Sequence, residues 1–299
     1  DDNVTAAKIS NNEDFTINSV TVGKGANSVT RNTVLGESAL DAAVTGGDNT
    51  AIGALTLTLN TSGAYNTAVG SAALDANTTG GTNVAIGQGS LSSNTTASNN
   101  TAVGSGSMNQ NTTGPNNTAV GYNALTANTD GSYNTALGDR ACYTQTSAGY
   151  NTGVGHAALY ANTTGGSNVA TGALALDANT TGGNNTAVGV STLGANTTAS
   201  DNTGVGRSAL AANTTGTRNT AVGSYALDAN TTASDNDAFG SYALSDNTTG
   251  TRNVGLGRSA LQSNTTANDN TAVGHEALKV NTTGDLNTAV GSYAMQNSV

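Results

Sequence analysis

The chain has 299 residues, the length of two ordinary domains, but 39 glycines, one proline, no tryptophan and 9% charged residues set it apart from ordinary globular sequences. A net charge of −10 with only nine Lys and Arg excludes recognition of a phosphate backbone, which needs clustered cations. The single Cys142 excludes an intramolecular disulfide, and no apolar run is long enough for a membrane-spanning helix, so neither nucleic acid nor membrane insertion is expected.

Residues 1–31 stand apart as an N-terminal capping or assembly segment. The chain opens Asp1-Asp2-Asn3 without a methionine, which is read as the processed end of an exported protein and predicts an extracellular location. Phe15, Ile17, Val20 and Val22 alternate with polar residues, as a strand would.

From residue 32 to 299 one unit of seventeen residues recurs. Its first residue is Asn at 32, 49, 66, 83 and every seventeenth position to 287, sixteen times without an insertion. Every residue column therefore has a fixed neighbour column one unit away, the signature of a stacked solenoid. "NTAVG" reads as a short strand, "ALDA" as a corner or second short strand, and "NTTG" as a turn into a third edge. A helical solenoid is excluded, because Thr, Asn, Val and Gly occupy positions where two helices would need good formers; "SYALDAN", residues 224–230, makes one turn at best. The expectation is an all-β, parallel β-solenoid (a β-roll or β-helix) of about sixteen coils, a rod of roughly 75 Å at about 4.8 Å per coil.

With the Asn as position 1, position 9 is Leu in thirteen units, and position 4 is almost always aliphatic. Both are read as core columns, represented by Val69, Leu74, Val103, Leu125, Leu159 and Leu227. Cys142 takes the place of the core Leu in the most degenerate unit, Asn134 to Tyr150, and is expected to be a buried thiol. Ala and Gly at position 3 and Ala at position 8 call for a narrow interior.

Two Asn columns are the most specific signal. Position 1 (Asn66, Asn83, Asn100, Asn117) and position 12 (Asn77, Asn94, Asn111, Asn128) are read as ladders that bond coil to coil and hold the turns. The rival reading of position 12 is a glycosylation acceptor, since Asn77, Asn162 and Asn213 open Asn-x-Thr sequons. Asp201, Arg218, Asp235, Arg252 and Asp269 form a charge ladder at position 17, which predicts each Arg between two Asp. The neighbouring segments alternate too, "TTASDN" with "TTGTRN", a two-coil superperiod. Tyr225 and Tyr242 share position 7, and Tyr133 and Tyr150 share position 17, where mutual packing competes with a sugar-binding surface.

No catalytic, metal or cofactor site is expected. His156 and His275 both hold position 6 but stand seven units apart, and no zinc spacing, calcium nonapeptide or phosphate-binding loop is present.

The string "NTAVGxxALxxNTTG" resembles repeats of tail-fibre-like proteins from bacteria and their phages, and "NTAVG" and "NVAIG" are similar to the head repeats of trimeric autotransporter adhesins. The resemblance spans residues 32–299 and implies an extracellular or virion-borne, homotrimeric fibre; the residues themselves suggest a head-to-tail filament in which residues 1–31 of one subunit cover the C-terminal coil of another. The chain lacks the stalk heptads, anchor and chaperone domain of those families, and its unit is longer than the adhesin head's. A structural fibre subunit is therefore the leading expectation. A glycan-binding adhesin or tail-fibre shaft is the alternative, and an ice-binding solenoid a minor one, disfavoured because the paired Thr of "NTT" sit in a turn.

Overall fold

The computed structural model describes residues 14–297. The first thirteen residues of the capping segment and Ser298 of the position-12 column lie outside them. The fold is an all-β parallel solenoid with almost no helix, in two compact units, Asp1–Arg140 and Ala141–Val299.

The first unit opens with a hairpin, β1 (Phe15–Ile17) and β2 (Val20–Gly23), paired antiparallel. The alternation in the sequence suggested one strand, but Asn18 and Ser19 adopt φ of 47° and 70° and fold it into two, as a tight hairpin turn requires. β2 then pairs antiparallel with β3 (Thr33–Gly36). The hairpin thus covers the edge of its own chain's first coil.

Beyond it, each repeat supplies one strand of about three residues. In the first unit β3 is followed by β4 (Thr50–Ile52), β5 (Thr67–Val69), β6 (Val84–Ile86), β7 (Thr101–Val103), β8 (Thr118–Val120) and β9 (Thr135–Leu137). All pair in parallel, each residue opposite its counterpart seventeen positions on, so that Ala68 faces Ala85 and Ala85 faces Ala102. The second unit repeats this from β10 (Thr152–Val154) to β18 (Thr288–Val290), again parallel and in register.

The rest of each coil is turn, with no second strand at "ALDA". Even so, its backbone bonds to adjacent coils: the Leu74 amide donates to the Ser90 carbonyl, that of Ala76 to Ser92, that of Ala72 to Ala54 and that of Thr78 to Thr95. The chain rounds the corner by placing positions 7 and 9 in the left-handed region, as at Ala72 (φ 54°) and Leu74 (φ 52°). A non-glycine residue there costs about 1–2 kcal/mol. Full burial of the Leu side chain is worth about 1.5–3 kcal/mol, which offsets the cost at position 9 itself.

Gly70, at position 5, has φ 133°, and a Cβ on it would meet the Gly87 backbone at 2.6 Å. Only glycine fits that crossing, which explains its recurrence.

The core is narrow. Ala68, Ala73 and Leu74 are fully buried, as are Leu125, Leu159 and Leu227, bearing out the position-9 column. The position-4 column is not core, and this corrects the reading of Val69 and Val103. Both are only half-buried, and Leu35 (44% exposed), Val120 (39%) and Leu256 (47%) are open to solvent. Strand alternation gives the reason: once Ala68 points inward, Thr67 and Val69 must point outward. The space that Val would have filled is taken by asparagine.

Candidate functional site

The chemistry of this molecule is concentrated in its interior amides. At position 1 the Asn side chains work in two directions, except at Asn270, whose buried Nδ2 has no partner. The backbone N–H of Asn83 donates to Asn66 Oδ1 at 3.0 Å, that of Asn100 to Asn83 Oδ1 at 3.0 Å, and that of Asn117 to Asn100 Oδ1 at 2.9 Å. The Nδ2 of each crosses the coil to the carbonyl at position 15: Asn66 to Gly80 at 2.9 Å, Asn83 to Ala97 at 2.9 Å, Asn100 to Gly114 at 3.1 Å.

The position-12 column is a true side-chain ladder. Asn77 Nδ2 donates to Asn60 Oδ1, Asn94 to Asn77, Asn111 to Asn94 and Asn128 to Asn111, at 2.7–3.1 Å. The same Nδ2 groups reach the position-15 carbonyl, as Asn77 does to Gly80 at 3.0 Å. In the coils that begin at Asn66, Asn83 and Asn100 one carbonyl therefore accepts from both ladders and ties them together, whereas the first coil has Ala43 at position 12 and Asn270 Nδ2 makes no such bond. All these bonded Asn side chains are fully buried, so every bond replaces water rather than competing with it.

This geometry bears on the sequons. The Nδ2 atoms of Asn77, Asn162 and Asn213 are buried and each donates twice, which leaves no access for a transferase in the folded chain. The first Thr of each sequon serves the ladder too: Thr78 Oγ1 donates to the Thr95 carbonyl at 3.0 Å.

The degenerate repeat keeps the pattern by substitution. Gln145, in place of Asn at position 12, donates Nε2 to the Ala148 carbonyl, and its Oε1 accepts from both Asn151 and Asn162. Cys142 is fully buried, and burial pushes its thiol up to about 12. Gly153 faces it: a Cβ there would lie 2.7 Å from Cys142 Sγ.

The charge ladder is real but asymmetric. Arg218 grips Asp235 through Nε (2.6 Å) and Nη2 (2.9 Å), and Arg252 grips Asp269 in the same way (2.7 and 2.8 Å). Each Arg turns to the Asp that follows it and is not held between two. Asp201 instead accepts from Asn184 Nδ2 at 3.2 Å. The Nε/Nη2 edge of each guanidinium takes one carboxylate bidentately, and Nη1 turns to the neighbouring hydroxyl, Thr217 Oγ1 at 3.2 Å for Arg218 and Thr251 Oγ1 at 3.0 Å for Arg252. Arg31 and Asp48, at the same position in the first unit, pair at 2.8 Å, a match the sequence reading missed although the column holds it.

The tyrosines pack on one another. Tyr225 and Tyr242 stack at 5.3 Å, Tyr143 and Tyr160 at 5.2 Å, and Arg207 lies 4.7 Å from the Tyr225 ring. Both stacked pairs use ring faces that a sugar would need. Among the described residues no group of His, Cys, Asp and Glu is arranged to hold a metal ion. His275 meets the edge of Tyr293 and lies 3.8 Å from Glu276, while Glu276 bonds Lys279 at 3.0 Å.

The outer face of the sheet was not anticipated. It carries two parallel rows, Thr at position 2 and an aliphatic residue at position 4, with inward Ala between them. Strand period 2 could have revealed it, had "T-A-V" been read as out-in-out. No family model, curated protein or solved structure matches this chain.

Proposed function

We propose that this chain is a non-catalytic structural subunit of an extracellular fibre, built for length. The observation that carries the reading is the direction of its hydrogen bonds. Backbone, Asn and Thr groups alike bond to their counterparts seventeen residues away, so each coil's principal binding partner is its neighbour. The extracellular placement rests on the resemblance of the repeat to tail-fibre-like and adhesin-head sequences. Because β2 already covers the first coil of its own chain, head-to-tail assembly into filaments would have to join the last coil of one chain to the N-terminal hairpin of the next. Electron microscopy of the purified protein tests this: filaments of coil-like cross-section are expected, and globular particles would overturn it.

A second reading, an adhesin that takes surface glycans, draws on Tyr65 and Tyr150, which are 64% and 66% exposed at position 17. A glycan array on the intact protein and on a Tyr65→Ala, Tyr150→Ala variant separates the two, since the fibre reading expects no bound sugar.

A further inference from the structure

We infer that the outer face of the parallel sheet is a lateral docking surface for a second copy of this chain, sheet against sheet. Four observations lead there.

The face is apolar where solvent should make it polar. Position 4 places Leu35, Ile86, Val120 and Leu137 outward in the first unit, and Val188, Phe239 and Leu256 in the second, all among the exposed large hydrophobic residues. An antiparallel sheet commonly leaves one face to water, whereas parallel sheets are almost always covered on both. A continuous apolar strip of this kind marks an interaction site.

The face also carries no means of recognising a charged ligand. Of the residues at positions 2 and 4 across all repeats, Asp237 alone is charged. Charged groups gather instead at its margins, at position 17 (Arg31, Asp48, Arg218, Asp235) and position 6 (Arg207, Arg258). An apolar centre with a polar rim is the anatomy of a protein interface.

The Thr row has unused hydroxyls. Thr56 and Thr192 at position 8, and Thr78 and Thr95 at position 13, all donate to carbonyls within the fold. No such bond is made by the position-2 hydroxyls of Thr50, Thr67, Thr101 or Thr118. They are free to bond across to a partner.

Last, the period selects the partner. Rows repeating at about 4.8 Å match side chain for side chain only with a surface of the same repeat, and a second copy has it by construction. Facing Val and Thr rows interdigitate as cross-strand neighbours do, with the two sheets about 10 Å apart. An array that orders ice is a poorer fit: position 4 ranges from Thr171 to Phe239, which breaks the flat, uniform surface. A rung offers roughly 50 Å² of face, so the nine rungs of the second unit present on the order of 450 Å² per copy, about 900 Å² in all, the size of a weak, transient contact and below that of a standard interface. The contact is therefore concentration-dependent.

This lateral contact is separate from the lengthwise stacking of the fibre reading. Paired short rods would support it while removing the filament; filaments of single-chain width would do the reverse. The experiment is sedimentation of the intact chain and of Val103→Lys, Val222→Lys and Thr101→Lys variants. Thr113→Lys and Thr215→Lys, at exposed position 14, serve as controls. The wild type and controls are expected to reach a multiple of 29.2 kDa with rising concentration. The face variants should lose side-by-side pairing, its dissociation constant raised at least ~100-fold by an unpaired charge in the contact, so that any assembly left to them is lengthwise and of single-chain width in electron micrographs. Circular dichroism identifies any variant that has lost its fold, and the other face variants then carry the test. A wild type that remains single-chain at roughly 100 μM, or folded face variants that associate like the controls, overturns the inference.

Discussion

Asn66 Oδ1 accepts the backbone N–H of Asn83, one coil further on, at 3.0 Å. A side chain thereby occupies the place where a strand would normally offer a carbonyl. Removing either of its polar ends leaves a buried group without a partner. Asn66→Asp keeps the acceptor but loses the donor to Gly80 and buries a charge, and is expected to destabilise the first unit by about 3 kcal/mol at neutral pH. Burial raises the new carboxyl's folded pKa above its unfolded value, so the deficit should shrink as the pH falls and the proton restores a donor. Denaturant unfolding at neutral and acidic pH checks both parts; an equal deficit at the two would contradict them.

The two aliphatic columns should respond in opposite ways. Leu125→Ala removes a fully buried side chain and is expected to cost about 2–5 kcal/mol. Val69→Thr, at the half-buried outward position, keeps the β-branch and should shift the unfolding midpoint little. Thermal unfolding at a concentration where the chain is single decides between this assignment and one that puts both columns in the core.

Burial raises the carboxyls of Asp75, Asp177 and Asp228, all at position 10, and Asp75 Oδ1 and Asp228 Oδ1 have no hydrogen-bond partner. A folded pKa above the unfolded one means that the folded state binds the proton more tightly. The associated stability is present at low pH and is lost as the pH rises through the folded values. The Arg218 and Arg252 guanidinium groups act oppositely on Asp235 and Asp269, holding them below the usual carboxylate range, but these pairs lie at the surface and are screened. The contribution of these three carboxyls to stability is expected to grow as the pH is lowered towards the ordinary carboxylate range, against the opposing Asp235, Asp269 and Glu276. The triple variant Asp75→Asn, Asp177→Asn, Asp228→Asn should melt higher than the wild type at neutral pH, by a margin that shrinks as the pH is lowered.

Cys142 should be silent in the native protein. With its thiol fully buried and pushed up to about 12, it should not react with a thiol reagent until the coil around it opens. Labelling followed by mass spectrometry, with and without denaturant, gives the answer. Rapid labelling of folded protein would mean that the coil opens readily or that the thiol is misplaced.

Periodicity alone conveyed most of this architecture. An exact seventeen-residue step fixes which residues are neighbours, and from that the Leu column, both Asn ladders and the packing of Tyr225 on Tyr242 were legible, whereas the stack of Tyr143 on Tyr160 in the degenerate region was not anticipated. What a one-dimensional column cannot show is which way it faces. Val69 and Leu74 recur with equal regularity, yet one is outside and the other inside, because the coil is too narrow to hold both beside Asn66 and Asn77. Nor does a run of letters reveal that the corner is made by leucines in the left-handed region, a conformation sequence statistics assign to glycine. The charge ladder showed the same limit, since spacing placed Arg218 between two Asp while the planar fork chose Asp235.

The Gly80 carbonyl, shared by Asn66 and Asn77, also has an evolutionary reading. Because nearly all the joints between coils are alike, a gene that gains or loses one whole repeat would yield a chain whose seams still fit. Rod length can then drift, or be selected, in single-coil increments without any new interaction having to be invented. An insertion of any other size would misalign both amide columns at once. That constraint is written into the interior, and it accounts for sixteen repeats without a single residue out of step.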